Sequence, residues 1–485
     1  MERLANYKAV VFLRKLFSSK YLPFVSAAVV IACYYLGWEV VSVWYLSLLG
    51  VGIMLTCKDV SPIFGVFLMM GVMVSVQHSP NYHYAASDYF TRPAVLSQMI
   101  IAIVMLIGMA AVRVVESIIY HRFKITPIFT GLFIFVMALF VNGVFSEYYT
   151  PMNAVYALFL ALLFLGIFCF ASGNIKVDGT TFERIAYALV AMLAVLTIEL
   201  VVAYITYDGL IVNGSIEREL LYFGWGTYNN FGMYAVLCIP APMYLAAKYK
   251  HGWAFALLGA IAYAVAFMCM SRQAMLMGAI IFIGCVVWLF IRTKGIQRIN
   301  IAVVFGLIAI ALAVSMAVAF DKIIKLFSSV SDYLGTGSGR TVIWKEAMDN
   351  FFNYPLFGAG FYSRKHWVSG ESGFAEIIPV MYHNTAFQLL ACSGILGFGA
   401  YIYHRIQTII CFVKNINHDR IFIALVIAGL LLTSLLDNHI FYLFPTILYS
   451  ILLAVLTLTE KKEENKEEKK DDGGNAQEEQ TVSAA

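Results

Sequence analysis

Long apolar runs recur along almost the whole chain, each of roughly the 17 to 22 residues that a helix needs to cross a lipid bilayer. The runs do not alternate polar and apolar residues as membrane-spanning strands do, and a helix satisfies its own backbone hydrogen bonds in lipid. With 61% hydrophobic and 13% charged residues, the chain also lacks the composition of a soluble protein. About fourteen segments can be placed, at 21–37, 40–56, 61–77, 94–112, 127–146, 153–172, 186–206, 230–247, 252–270, 274–291, 299–320, 384–403, 420–436 and 440–458. The sequence therefore predicts an all-α, polytopic membrane helix bundle of about fourteen transmembrane helices.

Lysine and arginine are concentrated in alternate connections between these segments. One side carries Lys8, Arg14, Lys15, Lys20, Lys58, Arg113, Arg122, Lys124, Lys176, Arg184, Lys248, Lys250, Arg292, Lys294, Arg298, Arg405 and Lys414. The other side is poor in basic residues and carries Glu39, Asp88, Glu147 and Asp208. The positive-inside rule therefore predicts that both termini are cytoplasmic. The net charge of +4 is small and does not indicate a nucleic-acid partner.

The chain divides into five predicted parts. A basic cytoplasmic arm (1–20) precedes transmembrane helices 1–11 (21–320), a large extracytoplasmic loop (321–383) follows, and helices 12–14 (384–459) lead to a charged cytoplasmic tail (460–485). The tail is of low complexity and almost without apolar residues, which predicts disorder. The loop is far longer than an ordinary connection and rich in aromatic residues, so we expect a folded, partly helical cap that holds the chemistry.

Inside this loop, Arg340 begins a segment with apolar residues at helical spacing. Ser338 is a plausible N-cap and Pro355 ends the segment, so the pattern predicts a short amphipathic helix. A cation in the first turn opposes the helix dipole, but it can share an anion such as a pyrophosphate with the free N–H groups. The alternative, in which Arg340 caps a loop or pairs with Glu346 or Glu371, stays open.

Arg272 lies in a short turn between two apolar segments, on the side where basic residues are otherwise rare. An idle charge at this position is costly, so the arginine either binds an anion or reaches outward to lipid headgroups. His383 ends the long loop and is suited to take a proton from a sugar hydroxyl, although a lone histidine is more often structural. Asn384 could bind sugar or cap the following helix.

Four further residues are predicted to face the same side and are candidates for hydrogen bonds to sugar: Tyr228, Asn229, Asn230 and His439. Helix capping and anchoring at the membrane interface explain each of them equally well. Glu199 lies well inside a predicted span and is either functional or a neutral packing residue. We assign it no role.

The usual signatures of soluble hydrolases are absent. The sequence has no Gly-x-x-x-x-Gly-Lys-Ser/Thr, His-Glu-x-x-His or Gly-x-Ser-x-Gly pattern, so nucleotide hydrolysis, zinc proteolysis and serine esterase chemistry have no support. All eight cysteines lie in or at the ends of apolar runs, which indicates neither a disulfide framework nor a metal site. No metal or other cofactor is expected.

Several motifs together resemble the O-antigen ligase / O-antigen polymerase superfamily of bacterial membrane glycosyltransferases. They are Ser-Gly-Arg-Thr-Val-Ile-Trp (338–344), Pro-Leu-Phe-Gly-Ala-Gly (355–360), His-Asn-Thr-Ala-Phe-Gln-Leu-Leu (383–390) and Gly-Ile-Leu-Gly (394–397), preceded by Ser271-Arg272 and by Tyr228-Asn-Asn230. The resemblance covers about residues 220–400 in motifs and the rest in topology. One departure is Cys392, where many members carry an acidic residue.

The resemblance implies a metal-independent transferase on the outer face of the bacterial cytoplasmic membrane. Its donor would be a polyprenyl-pyrophosphate-linked glycan, and its acceptor a glycan, lipid or cell-wall polymer. Arg272 and Arg340 match the arginines thought to hold the pyrophosphate, and His383 matches the proposed base. The expected substrate-binding residues are Tyr228, Asn229, Asn230, Gly339, Trp344, Asn384 and His439. Other polysaccharide-assembly membrane proteins are possible partners.

Three questions stay open at the level of sequence. A polymerase would join lipid-linked repeat units, whereas a ligase would pass a finished glycan to another acceptor. A polysaccharide flippase would also need many helices, but it should show repeat symmetry and several charges near the membrane centre. A peptidoglycan-type polymerase would need an acidic catalytic residue, for which Asp332, Glu371 and Glu376 are available outside any recognised motif.

Overall fold

In a computed structural model of the chain, residues 8–75, 93–212, 215–221, 227–318, 340–362 and 381–459 are described. They are almost entirely helical. The helices are α1 (Lys8–Phe17), α2 (Leu22–Tyr35), α3 (Glu39–Thr56), α4 (Ile63–Ser75), α5 (Pro93–Ile119), α6 (Pro127–Phe145), α7 (Pro151–Asn174), α8 (Thr181–Thr206), α9 (Tyr228–Lys248), α10 (Trp253–Met268), α11 (Arg272–Arg292), α12 (Gly295–Val318), α13 (Arg340–Asn353), α14 (Thr385–Lys414), α15 (His418–Ser434) and α16 (Leu443–Thr459). A two-stranded hairpin pairs β1 (Ile211–Val212) with β2 (Ser215–Ile216).

The all-α, multi-pass class predicted from the sequence is confirmed. Each predicted apolar segment coincides with one of these helices. Within the described ranges, eight helices are long and apolar enough to cross a membrane, or nine if the bent pair α1 and α2 forms one span. Shorter apolar helices include α4, α10, α12 and α16. The count of about fourteen spans is therefore not confirmed and stays a prediction.

The long predicted loop is described only in part. The helix expected to begin at Arg340 is present as α13, and it ends at Asn353, just before Pro355. Residues 319–339 and 363–380, on which the expected folded cap also depends, lie outside the described part of the chain. The charged tail, 460–485, lies outside it as well.

Helix α16 is deeply buried among the other helices. Every side chain from Thr446 to Thr457 is buried. Tyr449 on this helix joins two neighbours, since its hydroxyl lies 2.8 Å from Nε2 of His404 in α14 and its ring packs against Phe164 in α7. The hydroxyl of Ser450 donates to the carbonyl of Thr446, so this polar group is satisfied inside an apolar environment.

Each end of the helix bundle has its own polar contacts. At the basic end, defined by the connections rich in lysine and arginine, Arg184 Nη1 donates to Asp59 Oδ2 at 2.7 Å. At the opposite end, which we call the site end, Ser271 Oγ donates to Asn229 Oδ1 at 2.7 Å. Helices α9, α11, α14 and α16 all start at the site end, whereas α8, α10 and α15 finish there. These seven helices therefore alternate in direction.

Helix α14 is broken at Gly394, whose backbone is left-handed (φ 61°). The segment after α13 fills this break. The amide N–H of Ile395 donates to the carbonyl of Pro355 at 2.8 Å. In return, the amide N–H of Ala359 donates to the carbonyl of Ala391, also at 2.8 Å. An intact helix would pair Ile395 with Ala391, so the inserted segment replaces that bond with two others.

The next helical bond is replaced in the same way. Gly360 N–H donates to the carbonyl of Cys392 at 3.1 Å, and Leu396 N–H approaches the carbonyl of Leu356 at 3.5 Å. Asn142 in α6 donates from Nδ2 to the Ser393 carbonyl at 2.7 Å. The backbone groups exposed by the break are thus satisfied without water. The insertion fixes α13 and the first half of α14 relative to each other.

Candidate functional site

His383 and Asp437 form the central polar contact of the site end. His383 precedes α14, and Asp437 lies in the connection between α15 and α16. Nδ1 of His383 lies 3.0 Å from Oδ1 of Asp437, with the histidine side chain 30% exposed and the aspartate 5% exposed. A buried carboxylate that accepts from Nδ1–H fixes the imidazole tautomer and leaves Nε2 as the basic nitrogen.

Asp437 is held in its ionised form. Burial raises the pKa of its carboxyl, but the nearby His439 and the hydrogen bond from His383 lower it further, so this pKa lies well below its usual range. The backbone N–H of Asn438 also donates to Oδ1, at 2.8 Å. Because the native pKa is below that of the unfolded chain, the ionised carboxylate stabilises the fold above about pH 4. This contribution is lost as the pH falls through the native pKa.

His439 is fully buried and connects the aspartate segment to α11. Its Nε2 lies 2.5 Å from Nε2 of Gln273, and the same amide nitrogen of Gln273 approaches the carbonyl of Asn229 at 3.5 Å. The Asn229 carbonyl can only accept, which orients the amide so that Gln273 donates and His439 Nε2 accepts. His439 Nδ1 then carries the proton. Among the described residues, this buried nitrogen has no hydrogen-bond partner.

Arg272 and Arg340, the two predicted arginines, each begin a helix close to His439. Arg272 begins α11, directly between Ser271, which caps the helix, and Gln273. Arg340 begins α13, and its charge lowers the pKa of His439, together with the larger effect of burial. Arg340 therefore lies within electrostatic reach of the ring that Gln273 contacts. Arg340 and His383 thus both act electrostatically on His439, and Arg272 directly precedes Gln273, which contacts the same ring.

Helix α13 is held against the segment that precedes His383. Trp344 donates from Nε1 to the carbonyl of Tyr382 at 2.9 Å, and its ring stacks on Phe387 at 5.3 Å between centroids. Asn350, farther along the helix, donates to the Tyr382 hydroxyl at 2.8 Å. These contacts place Arg340 and His383 at a fixed separation. They also engage the indole N–H of Trp344, which the sequence assigned to substrate.

Other predicted substrate-binding residues contribute to the framework. Asn384 caps α14, with its Oδ1 accepting from two backbone N–H groups, and its Nδ2 donates to the carbonyl of Leu435 at 2.7 Å. Tyr228 and Asn230 lie half-buried in the first turn of α9, where the guanidinium of Arg218 lies 5.2 Å from the Tyr228 ring. The capping interpretation of Asn384 is thus the one that these contacts support.

Two predicted residues fall elsewhere. Gly339 lies outside the described residues. Glu199 is buried in α8 with 4% exposure, and we still assign it no role. Within the described ranges, no group of three or more histidine, cysteine, aspartate or glutamate side chains could hold a metal ion.

Several site residues were missed by the sequence reasoning. Asp437 occurs two residues before His439 in a stretch that was considered, and an acidic residue between two apolar segments was the available signal. Gln388 was also missed. Its Oε1 accepts from the Tyr382 N–H at 2.9 Å and from Asn438 Nδ2 at 2.6 Å, and its Nε2 lies 3.2 Å from the sulfur of Cys392. Gln388 thus connects the segment before His383 to the segment that contains Asp437.

Backbone strain coincides with the site. Of the described non-glycine residues, only His121, Met270 and His383 have a left-handed backbone. Met270 directly precedes Ser271 and Arg272, and His383 is the predicted base. Such conformations cost of order 1–3 kcal/mol and concentrate where a side chain must be held in one direction. Two of these three residues therefore lie at the site end, whereas His121 lies at the basic end.

Part of the chain matches a known protein family. Residues 254–402 match the family model described as O-antigen ligase. The matched region includes α11, α13 and the first half of α14, and hence Arg272, Arg340 and His383. A search of curated proteins finds no matching relative.

Proposed function

We propose that this member of the O-antigen ligase / O-antigen polymerase superfamily is a membrane glycosyltransferase that uses a polyprenyl-pyrophosphate-linked glycan as donor. The family match over residues 254–402 supports a glycosyltransferase-like membrane enzyme. The observation that carries the finer proposal is the contact between His383 and Asp437 at the end of the bundle where Arg272 and Arg340 begin their helices.

In the proposed reaction, His383 is the general base. Its Nε2 takes the proton of an acceptor sugar hydroxyl as that oxygen attacks the anomeric carbon of the donor. The bond between this carbon and the phosphate oxygen breaks, and the electron pair leaves with polyprenyl pyrophosphate. Asp437 keeps Nδ1 protonated and stabilises the imidazolium that forms. The proton is released from His383 after the product leaves.

The arginines act on the leaving group. Negative charge grows on the pyrophosphate as the glycosidic bond breaks, and a guanidinium stays charged while its planar fork bonds two phosphate oxygens. Arg272 and Arg340 approach from separate helices and can therefore hold different phosphates. The start of α13 adds backbone N–H groups that favour an anion. No nucleotide sugar, metal or other cofactor is needed in this scheme.

In this proposal, the helix bundle binds the lipid part of the donor. Between them, the helices would hold the polyprenyl chain while its headgroup meets the site end. With the termini cytoplasmic, this end would face outward from the bacterial cytoplasmic membrane. The acceptor would be another lipid-linked repeat unit for a polymerase, or a lipid, glycan or cell-wall polymer for a ligase. The proposed framework of the acceptor side includes Asn229, Asn384 and His439.

The glycan profile of cells carrying Arg340→Ala tests this function. We expect surface polymer to be lost or shortened, with transfer reduced about 10²- to 10³-fold because one stabilising contact to the growing charge is removed. Lipid-linked donor should accumulate on the outer leaflet. Lys345→Ala, at an exposed position of the same helix, is the matched control and should leave the profile unchanged.

Two other outcomes would contradict the assignment. Donor trapped on the inner leaflet would indicate a flippase. A normal glycan profile would show that Arg340 is not part of the site. Within the proposal, the products distinguish the acceptors. A polymerase defect leaves single repeat units on the acceptor, whereas a ligase defect leaves long chains on the lipid carrier.

A further inference from the structure

Helix α1 is not a continuation of the first apolar segment. Its axis meets that of the following helix, over Leu22–Cys33, at 80°. Helix α2 is one of the predicted spans, so α1 must run close to the plane of the membrane surface. Its ten residues, Lys-Ala-Val-Val-Phe-Leu-Arg-Lys-Leu-Phe, contain apolar and basic side chains and no acidic one.

The rotation of α1 about its own axis is fixed by α3. Phe17 is its only buried residue, and a Cβ on Gly52 would lie 3.0 Å from the Phe17 ring, so the missing side chain makes room for it. Arg14 donates from Nε to the carbonyl of Thr56 at the end of α3. These two contacts occupy one side of α1 and therefore determine which residues point away from the protein.

The opposite side is a mixed stripe of two lysines and two large apolar residues. Lys8, Phe12, Lys15 and Leu16 are spaced i, i+4, i+7 and i+8, which places them on one helix face. Phe12 is 66% exposed and Leu16 is 47% exposed, and both lysines are exposed as well. Lys20 is different, because its Nζ lies over the Tyr187 ring and contacts the Tyr249 hydroxyl. We call the four exposed residues the α1 stripe.

We propose that the α1 stripe binds anionic phospholipid in the leaflet at the basic end of the bundle. Phe12 and Leu16 enter the boundary between headgroups and acyl chains, while Lys8 and Lys15 contact lipid phosphates. The orientation follows from the helix lying beside a membrane span. The negative charge of the proposed lipid is inferred from Lys8 and Lys15, which have no acidic neighbour on the helix and complement an anionic headgroup. A lipid fits this face better than a protein because the lysines and apolar residues alternate along it.

Labelling of Phe12→Cys in the full chain tests the proposal. The protein is placed in nanodiscs of phosphatidylcholine alone, or with about a third phosphatidylglycerol, and treated with a water-soluble maleimide. An anionic surface should slow labelling about fivefold for each lysine, or roughly 25-fold in total. Leu36→Cys, exposed at the other end of α2, is the control and should react equally in both lipids. The native cysteines are buried or half-buried.

A second variant keeps the test independent of folding. Lys8→Gln and Lys15→Gln, added to the Phe12→Cys protein, leave Leu16 in place and should remove the difference in labelling between the two lipids. Equal labelling of the parent Phe12→Cys protein in both nanodiscs would overturn the proposal. So would protection that depends on protein concentration and not on lipid, since a second copy of the chain would then cover the stripe.

Discussion

Replacing His383 with alanine is expected to slow glycan transfer by about 10²- to 10⁴-fold, because the acceptor hydroxyl loses the group that takes its proton. The donor should still bind, since Arg272 and Arg340 are unchanged. The defect should therefore appear in kcat more than in KM for the lipid-linked donor. Purified protein with varied concentrations of donor and a saturating synthetic acceptor gives both values.

The control for this variant is His121→Ala. His121 is also a histidine with a left-handed backbone, but it is exposed at the basic end. Its replacement should leave transfer unchanged. The rate of glycan transfer by the Asp437→Asn variant should also fall, roughly 10²- to 10⁴-fold, because an amide no longer enforces the tautomer of His383 that is protonated at Nδ1. Full activity of Asp437→Asn alongside loss in His383→Ala would show that the aspartate does not position the base.

Gly394→Ala is expected to destabilise the protein by about 2–5 kcal/mol. A left-handed backbone costs a non-glycine residue about 1–2 kcal/mol, and an overpacked site adds about 1–3 kcal/mol. The new Cβ would lie 2.3 Å from the carbonyl oxygen of Leu356, a backbone atom that cannot swing away. Thermal unfolding in nanodiscs measures the change. Activity should fall with stability, because the same insertion positions His383.

Gly399→Ala is the matched control in the same helix. A Cβ at Gly399 would meet no atom within 4 Å, and replacing a glycine within a helix by alanine is usually favourable by about 0.5–1 kcal/mol. This variant should be as stable as the parent or slightly more so. If Gly394→Ala unfolded at the same temperature as Gly399→Ala, the result would contradict the break in α14 and the backbone hydrogen bonds that the segment after α13 makes to it.

The positions of the helices and the two candidate arginines could be predicted from local sequence patterns. Apolar segments in lipid have a characteristic length, so the helix positions followed directly from the sequence. Arg340 was predicted to begin a helix because apolar residues at helical spacing follow it and Pro355 ends the segment, and α13 spans Arg340–Asn353. Arg272 was found because a charge between two spans is unusual.

The remaining features depend on distant parts of the chain. The break at Gly394 lies inside an apolar run, and a glycine there is also compatible with an intact helix. The left-handed backbone of Gly394 and the tertiary hydrogen bonds to the 355–360 segment, such as that of Ala359 with Ala391, show that the helix is open. Asp437 was not assigned because its partner, His383, is separated from it by all of α14 and α15. The side chains that orient a base are rarely adjacent to it in sequence.

Transfer from defined lipid-linked donors by the purified chain tests the central claim most directly. The chain is reconstituted with a chelator and without nucleotide sugars, and offered one glycan on polyprenyl pyrophosphate or on polyprenyl monophosphate. We predict that the pyrophosphate donor is used at least about 10²-fold faster, with one polyprenyl pyrophosphate released per glycan transferred. The preference should shrink in Arg272→Ala and Arg340→Ala. Equal use of both donors, or movement of the donor across the membrane without transfer, would contradict the account.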